Sequence, residues 1–534
     1  MASTFSGFYV AKSGIQAARA NLQVTGQNMT NVNTEGYTRQ RVDTYSIGSS
    51  GNNMRYSNQS DLAIGEGVNC SGISQIRDPY LDVRYRMEHA KSGKTGTELS
   101  TLNDLETIFD ESKKDGISTQ LRDLTTQLQS YANTPSNSGL ENIVKNSSLL
   151  LTKAFNNAAQ QISTIRKQQT DSLQTDAIAK TNTLLKNIAH LNEEIKSADI
   201  SGNPSLELND QRNTMIDQLS QYANIEVSSK MVPVGAGRTV AELNINLISG
   251  TNKFNLVSNN QYSHFDMVKD VTSGSPPVTV PVTMELKDEA DHDVLANGAG
   301  AALANSDVTS GAFGGYLSML NEKGEYDTTK GTERGIGYYE NVLDKLASEF
   351  ASTMNKANST NADQDNKALF TAADGVSSIN ASNISLSDAW NHATGSYLTV
   401  TKQDPITGAA SSTPSDNILY MIKQLSQEKP YTTDPNNAAS GTTLFTGSVN
   451  TFISNISNST LALQVQDIAR QDATFNSTLS DIETQKNALS SVDVNEEGIN
   501  LIMYNQSLTA SSRFMTTMDE AIDTIINRMG TVGR

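Results

Sequence analysis

The chain has 534 residues, a net charge of -18 from 58 acidic against 40 basic side chains, one cysteine and five histidines. A protein that neutralises phosphates presents cations in excess, so this balance argues against nucleic acid or an anionic membrane as main partner. Cys70 alone excludes an intramolecular disulfide, and aromatics at 6% with a single tryptophan, Trp390, point to about three to five slim helix-rich units rather than one large core.

Taken from the N-terminus, the opening MASTFSGFYVAKSGIQ lacks the basic start and continuous apolar stretch of a cleaved signal. Phe8, Ile15, Leu22 and Met29 recur every seven residues, and Ala11, Ala18, Thr25 and Val32 each follow by three, which is an a/d heptad stripe. NVNTEGY then supplies a helix stop. Asn31 and Asn33 bond their own backbone, Gly36 takes a positive φ, and Tyr37 packs back. The β-formers of TRQRVDTYSI lead into an extended segment and a polar loop up to Ser60. In RDPYLDVRYR, Arg77, Arg84 and Arg86 read as a solvated helix face with salt bridges.

Long helices are expected from Asp78 to Tyr131 and from Leu140 to Ile200, the second with Leu184, Ile188, Leu191 and Ile195 in steps of four and three. Pro135 and Gly139 break them, and Gly202 and Pro204 mark a turn before a helix from Leu206 to about Tyr222. Alternation at Leu243, Ile245 and Leu247 and at Val278, Val280, Val282, Met284 and Leu286 reads as strands, the latter demoted to a sheet edge by Pro281. A helix from Gly337 to Asn358 carries Tyr339, Leu343, Leu346 and Phe350 on one face. Residues 361 to 445 lack strong pattern, and helices resume from Ser448 to Leu489. At the end a second stripe runs through Leu501, Leu508, Met515, Ile522 and Met529, with Tyr504, Ser511, Met518 and Ile525 three residues after the first four.

The fold class that follows is mainly α with β-rich insertions (α+β): terminal helices forming an α-helical coiled coil, a long-helix body, and β-rich outer domains. Its expected divisions are 1–60, 61–224, 225–330, 331–360, 361–446, 447–490 and 491–534. A lone helix exposes its stripe to water, and burying each large side chain contributes about 1.5 to 3 kcal/mol, so the two ends should seek each other or other subunits. Ala11, Ala18 and Thr25 permit close approach, while Met515, Met518 and Met529 adapt to more than one neighbour. The expected assembly interface is therefore Phe8, Ala11, Ile15, Ala18, Leu22, Met29 and Val32 with Leu501, Tyr504, Leu508, Met515, Met518, Ile522 and Ile525.

No chemistry competes with that reading. Common hydrolase, nucleotide and zinc motifs are missing, so no catalytic residue, cofactor or metal is expected. Asp291-His292-Asp293 is a weak metal candidate. Asp493, Asn495, Glu497 and Gly498 imitate a calcium loop but place Tyr504 where its bidentate Glu belongs. His89, His190 and His264 lack evident catalytic partners, and the pairs Glu193-Glu194 and Glu496-Glu497 read as solvated faces or N-terminal dipole effects. No apolar run reaches the roughly 18 to 20 residues of a spanning helix, so no membrane insertion is expected.

SGIQAARANLQVTGQNMTNVNTEGY resembles the N-terminal signature of bacterial flagellar rod, hook and hook-associated proteins, with Ser13, Gly14, Ala17, Leu22, Asn28, Asn31, Thr34, Gly36 and Tyr37 in matching places and Glu35 where many relatives carry proline. The closing segment is similar to that family's last helix at Val492, Glu496, Glu497, Asn500, Leu501, Ala510 and Met529, and departs from it at Gln506 to Thr509. Inside the chain, Leu208, Asp210, Gln211, Arg212 and Leu219, together with GAFGGYLSMLNE, resemble the hook-associated branch.

The resemblance implies a structural, non-enzymatic part of the extracellular flagellum, placed at the hook tip as the hook–filament junction. It also implies self-association into a ring or helical assembly and contacts with hook protein and a second junction protein. Export would run through the flagellar type III apparatus without a cleaved signal, with a cytoplasmic chaperone holding the C-terminal segment. Helices 3–32 and 493–529 are expected to order on docking. The rival readings are another axial protein of hook type, or an adhesin or hydrolase whose residues 225–445 work on a flagellar chassis.

Overall fold

The computed structural model describes residues 6–47, 65, 67–109, 116–135, 137–203, 205–235, 238–250, 252–268, 281–294, 303, 307–327, 333–359, 367–373, 375, 378–393, 396–402, 411–433 and 443–528. Met529 and the polar loop expected up to Ser60 lie outside them.

The body is organised around α2 (Pro79–Phe109), which buries Ala90, Gly93, Leu102, Leu105 and Phe109. It packs against α6 (Leu206–Tyr222), α7 (Gly311–Asn321) and α12 (Ala462–Ser490). At Gly93 a side chain is impossible: a Cβ would sit 2.1 Å from the Gln221 carbonyl oxygen. Glycine there lets the helices cross at backbone distance. α3 (Ile117–Asn133) lies against α4 (Ser138–Ser172), whose first turn is capped by the Asn137 side chain accepting from the Gly139 and Leu140 amides. α4 continues through a π-helical turn, Leu173–Ile178, into α5 (Ala179–Ser201). Gly202, at φ +79°, ends the rod in a left-handed cap.

Strands β3 (Ile225–Gly235), β4 (Arg238–Ser249), β5 (Asn252–Ser258) and β6 (Gln261–Tyr262) form one antiparallel sheet in that order. β7 (His264–Val268) pairs with β8 (Thr283–Lys287). Pro281 precedes β8 rather than interrupting it, and Val278 and Val280 fall outside the described residues. These strands do not stand apart from the helices. They pack on α5, and Ile245, Leu247, Leu256, Val257, Phe265, Met284 and Leu286 belong to the hydrophobic core that also holds Leu346 and Phe350 of α8 (Ile336–Asn358). α7 departs from the β-rich reading of 225–330, because its buried face (Phe313, Leu317, Leu320) seats it on α2.

Residues 361–446 hold more structure than their composition suggests. β9 (Phe370–Ala372) pairs with β10 (Ile384–Leu386), followed by the single turn α9 (Asp388–Asn391), and Trp390 is buried edge-on to Phe370, rings 6.1 Å apart. α10 (Asp416–Ser426) buries Ile418, Met421 and Leu425 against α3 and α8. β11 (Lys429–Thr432) pairs with β12 (Thr443–Gly447), where Tyr431 stacks on Phe445 at 4.9 Å. α11 (Val449–Asn455) leads through the π-helical turn Ile456–Leu461 into α12. The ends of the chain form a separate layer: α1 (Ser6–Thr30), the hairpin β1 (Gln40–Ile47) with β2 (Gly67–Gln75), and α13 (Val494–Asp523) with a π-helical turn, Thr524–Arg528.

Candidate assembly interface

α1 and α13 pack antiparallel. A Cβ added at Gly7 would lie 2.4 Å from Met518 Cε, and one at Gly14 would lie 2.9 Å from Ser511 Oγ, so residues whose numbers sum to 525 face one another. Gly7, Ala11, Gly14 and Ala18 clear the space on α1, and Tyr504, Leu508, Ser511, Met515, Met518 and Ile522 are the half-buried row on α13, in the steps of three and four of a heptad seam. α1 has a second covered face. Ser13 Oγ accepts from the Val68 amide at 3.2 Å, and a Cβ added at Gly67 would lie 3.3 Å from Val10 Cα; Ala17 and Val24, both buried, continue that face toward the hairpin.

α13 has the opposite character. Among its described residues only Glu497 is buried, while Ile499, Ile502, Met503 and Phe514 are between 43% and 66% exposed, followed by Ile525 at 50% and Ile526 at 67%. Tyr9 of α1 is 69% exposed. These are large apolar side chains left in water on one helix pair.

Where this pair meets the body, packing gives way to charge. Asn28 joins the helix stop to β1: its Oδ1 accepts from Tyr37 Oη and the Gln40 amide, both at 3.0 Å, and its Nδ2 donates to the Gln40 carbonyl at 2.9 Å. Burial, then Glu207 and Asp210, push the Tyr37 phenol up to about 12. Arg39 bridges three elements. Its amide donates to the Ser490 carbonyl (2.8 Å) at the end of α12, Nε donates to Glu497 (2.7 Å), and Nη1 and Nη2 donate to Glu496 (2.9 and 2.8 Å). Its guanidinium is held above its ordinary pKa by the hydrogen bond to Glu496. Asp493 caps α13 by accepting from the Asn495 and Glu496 amides.

On the body side the Thr38 amide donates to Asp210 (2.9 Å), and Gln75 donates to the Leu206 carbonyl (2.9 Å). Behind them Arg77 pairs with Asp82, Arg86 with Asp217 (2.7 Å), and Lys486 with Asp217 (2.6 Å) and Asp82 (3.4 Å). Burial raises Asp210; it also works to raise Asp82, but Arg77, Lys486 and Arg86 outweigh it and hold that carboxyl below its usual range. A cleft of about 540 Å³ opens among Val32, Tyr37, Arg77, Tyr85, His89 and Lys486. The body's hydrophobic core includes no residue of α1, β1, β2 or α13.

Residues 102–370 match the family described as the flagellar hook-associated protein FlgK helical domain. The chain belongs to that family. Flagellar hook-associated protein 1 of Bacillus subtilis (strain 168) is 24% identical over 542 residues, covering 100% of both chains. The protein of the same name from Salmonella typhimurium is 24% identical over 362 residues, 66% of this chain and 57% of its own. Among solved structures, that of the flagellar hook junction protein FlgK from Burkholderia pseudomallei shares the fold, with a TM-score of 0.54 and 16% identity over 77% of this chain and 100% of that one. The helix-rich α+β class read from the sequence is this family's fold.

Of the expected interface residues, Ala11 and Ala18 are buried and Phe8, Ile15, Leu22 and Met29 half-buried on α1, while Tyr504, Leu508, Met515, Met518 and Ile522 form the α13 row. Three depart. Val32 lies past the end of α1 in the turn and lines the cleft at the joint, and Leu501 and Ile525 are exposed, at 36% and 50%. Of the two ways expected for covering the stripes, each other or other subunits, the chain shows the first: α1 and α13 meet within one chain, small side chains against large.

The helix stop is local. Asn31 donates from backbone and side chain to the Gln27 carbonyl, Asn33 is exposed, and Gly36, at φ +78°, leaves a Cβ only 2.2 Å from Thr214 Oγ1. Arg86 and Glu497, read as solvated, are 7% and 2% exposed, because a carboxylate or guanidinium from a distant segment meets each of them. Sequence reasoning also missed Gly7 as the partner of Gly14, although the two are seven residues apart in the stripe. Arg39 carried no local signal at all.

Asp493 serves as the cap of α13, and among the described residues no group of three or more His, Cys, Asp or Glu is arranged for a metal. No described helix is long and apolar enough to cross a membrane. A second cleft, about 720 Å³ between α2 and α12, contains Glu98 and Glu333. Burial pushes Glu98 up to about 7.

Proposed function

We propose that this chain is a structural subunit of the bacterial flagellum, placed at the hook tip as the hook–filament junction, whose terminal helix pair is its contact with neighbouring subunits. The observation that carries the reading is the division of labour within that pair. Its inner seam is closed inside the chain, and its outer surface keeps Tyr9, Ile499, Ile502, Met503, Phe514, Ile525 and Ile526 in water. Self-association into a ring or helical stack covers them, each large side chain contributing up to about 1.5 to 3 kcal/mol when fully buried.

Hook protein and a second junction protein are the partners on either side. The exposed face of α13 is the segment a cytoplasmic export chaperone would hold before passage, without a cleaved signal, through the flagellar export apparatus. The seven divisions of the chain serve this arrangement: terminal pair, helical body, and β-containing segments at the body's flank.

Replacing Ile502 and Phe514 together by Asp tests the reading. Both are exposed, so helicity and thermal unfolding of the dilute monomer should stay within about 0.5 kcal/mol of wild type. Filament attachment and swimming should be lost. Normal swimming with those two changes would rule the reading out.

A further inference from the structure

The two helices of the terminal pair carry opposite charge. α1 has Lys12 and Arg19 and no acid; α13 with its final turn has Glu496, Glu497, Asp519, Glu520 and Asp523 against Arg513 and Arg528. Arg39 engages Glu496 and Glu497. Lys12 and Arg19, and Asp519, Glu520 and Asp523, are exposed, and none of these five has an ion-pair partner among the described residues.

They cannot satisfy each other inside one chain. The antiparallel register sets Lys12 level with Arg513, a like charge, and Asp519 level with residue 6. At about 1.5 Å per residue, Lys12 and Arg19 lie about 9 and 20 Å along the axis from Asp519, at or beyond the screening length of about 10 Å in 0.1 M salt.

The outward stripes match in spacing. On α1, Tyr9, Lys12 and Gln16 follow one another at steps of three and four; on α13 and its final turn, Ile526, Asp523 and Asp519 repeat those steps in reverse. Laid antiparallel, Tyr9 meets Ile526, Lys12 meets Asp523, and Arg19 lies one turn beyond Asp519. An open cleft of about 310 Å³ lined by Phe8, Tyr9, Lys12 and Met515 offers room for an incoming branched side chain.

We propose that a second copy of this chain docks the basic stripe of its α1 on the acidic end of α13, displaced along the helix axis by about ten residues, or about 15 Å, from the pairing inside each chain. Each docking leaves one basic and one acidic stripe open, so the contact is head-to-tail and propagates instead of closing as a two-fold dimer. This rests on the reading of the terminal pair as the assembly surface and adds to it the element that sets direction and offset.

Charge reversal in the full chain tests it, read by sedimentation against concentration at low and high salt, with circular dichroism as control for folding. Lys12→Glu with Arg19→Glu, and separately Asp519→Lys with Asp523→Lys, should each weaken self-association by about tenfold at low salt, the scale of two exposed pairs. Mixing the two variants should restore it, since each then offers the stripe the other needs. Variants that associate like wild type, a mixture without rescue, or a wild type that stays monomeric at low salt would overturn the proposal. In the first two cases loss of assembly with the Ile502 and Phe514 changes would leave the assembly surface itself standing; if those also assemble, that reading falls too.

Discussion

Replacing Arg39 by Ala separates the terminal helix pair from the body without touching either one's packing. The Arg39 side chain is 17% exposed and Glu497 is 2% exposed, whereas Glu496 is 55% exposed. The Glu496 contact is therefore worth about 0 to 1 kcal/mol. Losing the one cation that pairs with Glu497 among the described residues costs about 3 to 5 kcal/mol, and the partly open setting puts Arg39→Ala near the lower end. The amide bond to Ser490 survives the change. About 3 kcal/mol corresponds to a rise of about a hundredfold in opening, at about 1.4 kcal/mol per tenfold. Hydrogen exchange should show that rise in α1 and α13 while α2, α5 and α8 keep their protection, because the core contains no residue of the terminal layer. Adding Glu497→Gln should recover part of the loss by removing the stranded charge. Unchanged exchange in α13, or equal loss throughout the body, would refute the account of the joint.

Glu98 gives a pH signature. Its folded pKa is raised from 4.5 to about 7 by burial, so the folded state holds the proton more tightly, and stability falls as pH rises from about 4.5 to 7. That displacement amounts to about 3 kcal/mol at about 1.36 kcal/mol per pH unit. His89, pushed down by burial, works the other way below 6.5, so the difference between wild type and Glu98→Gln in denaturant titrations at pH 5 and pH 8 isolates the effect. A pH-independent difference would contradict it. Gly36→Ala should cost about 1 to 2 kcal/mol in thermal unfolding or local exchange, from its positive φ and the Thr214 hydroxyl. Gly7→Ala, which meets only the movable end of Met518, should cost less; a reversed order would speak against the packing described. Leu256→Ala, at 0% exposure in β5, should remove about 2 to 5 kcal/mol and lower the strands and helical body in one transition, where separate transitions would show independent units.

Much of the helical frame was legible because helix ends carry chemistry. Leu206 to Tyr222 was delimited by Gly202, Pro204 and apolar steps, and α6 has those bounds. The helix read from Gly337 begins at Ile336, one residue earlier. The seam could be read as periodicity, yet periodicity names a face and not its partner, so it left open whether the two ends close on each other or on other subunits.

β2, GVNCSGISQ, has no alternation to betray it, since most of its residues are only half covered. α10 hid in loop-like surroundings, its Ile418, Met421 and Leu425 too short a run to stand out. Buried charge was the systematic miss. Arg86 meets Asp217 from 131 positions away and Arg39 meets Glu497 from 458, distances over which no local pattern speaks.

The central claim is that the terminal seams close on each other within one molecule and leave their outer faces for assembly. A Cβ at Gly14 lies 3.5 Å from Ser511 Cβ, within the range of about 3.5 to 4.5 Å that a disulfide spans. Gly14→Cys with Ser511→Cys, in a chain carrying Cys70→Ser, should oxidise in dilute solution to a monomer with an internal bridge between its ends, seen as a linked pair of terminal peptides after digestion. Bridges that form only between molecules, and vanish on dilution, would contradict the claim.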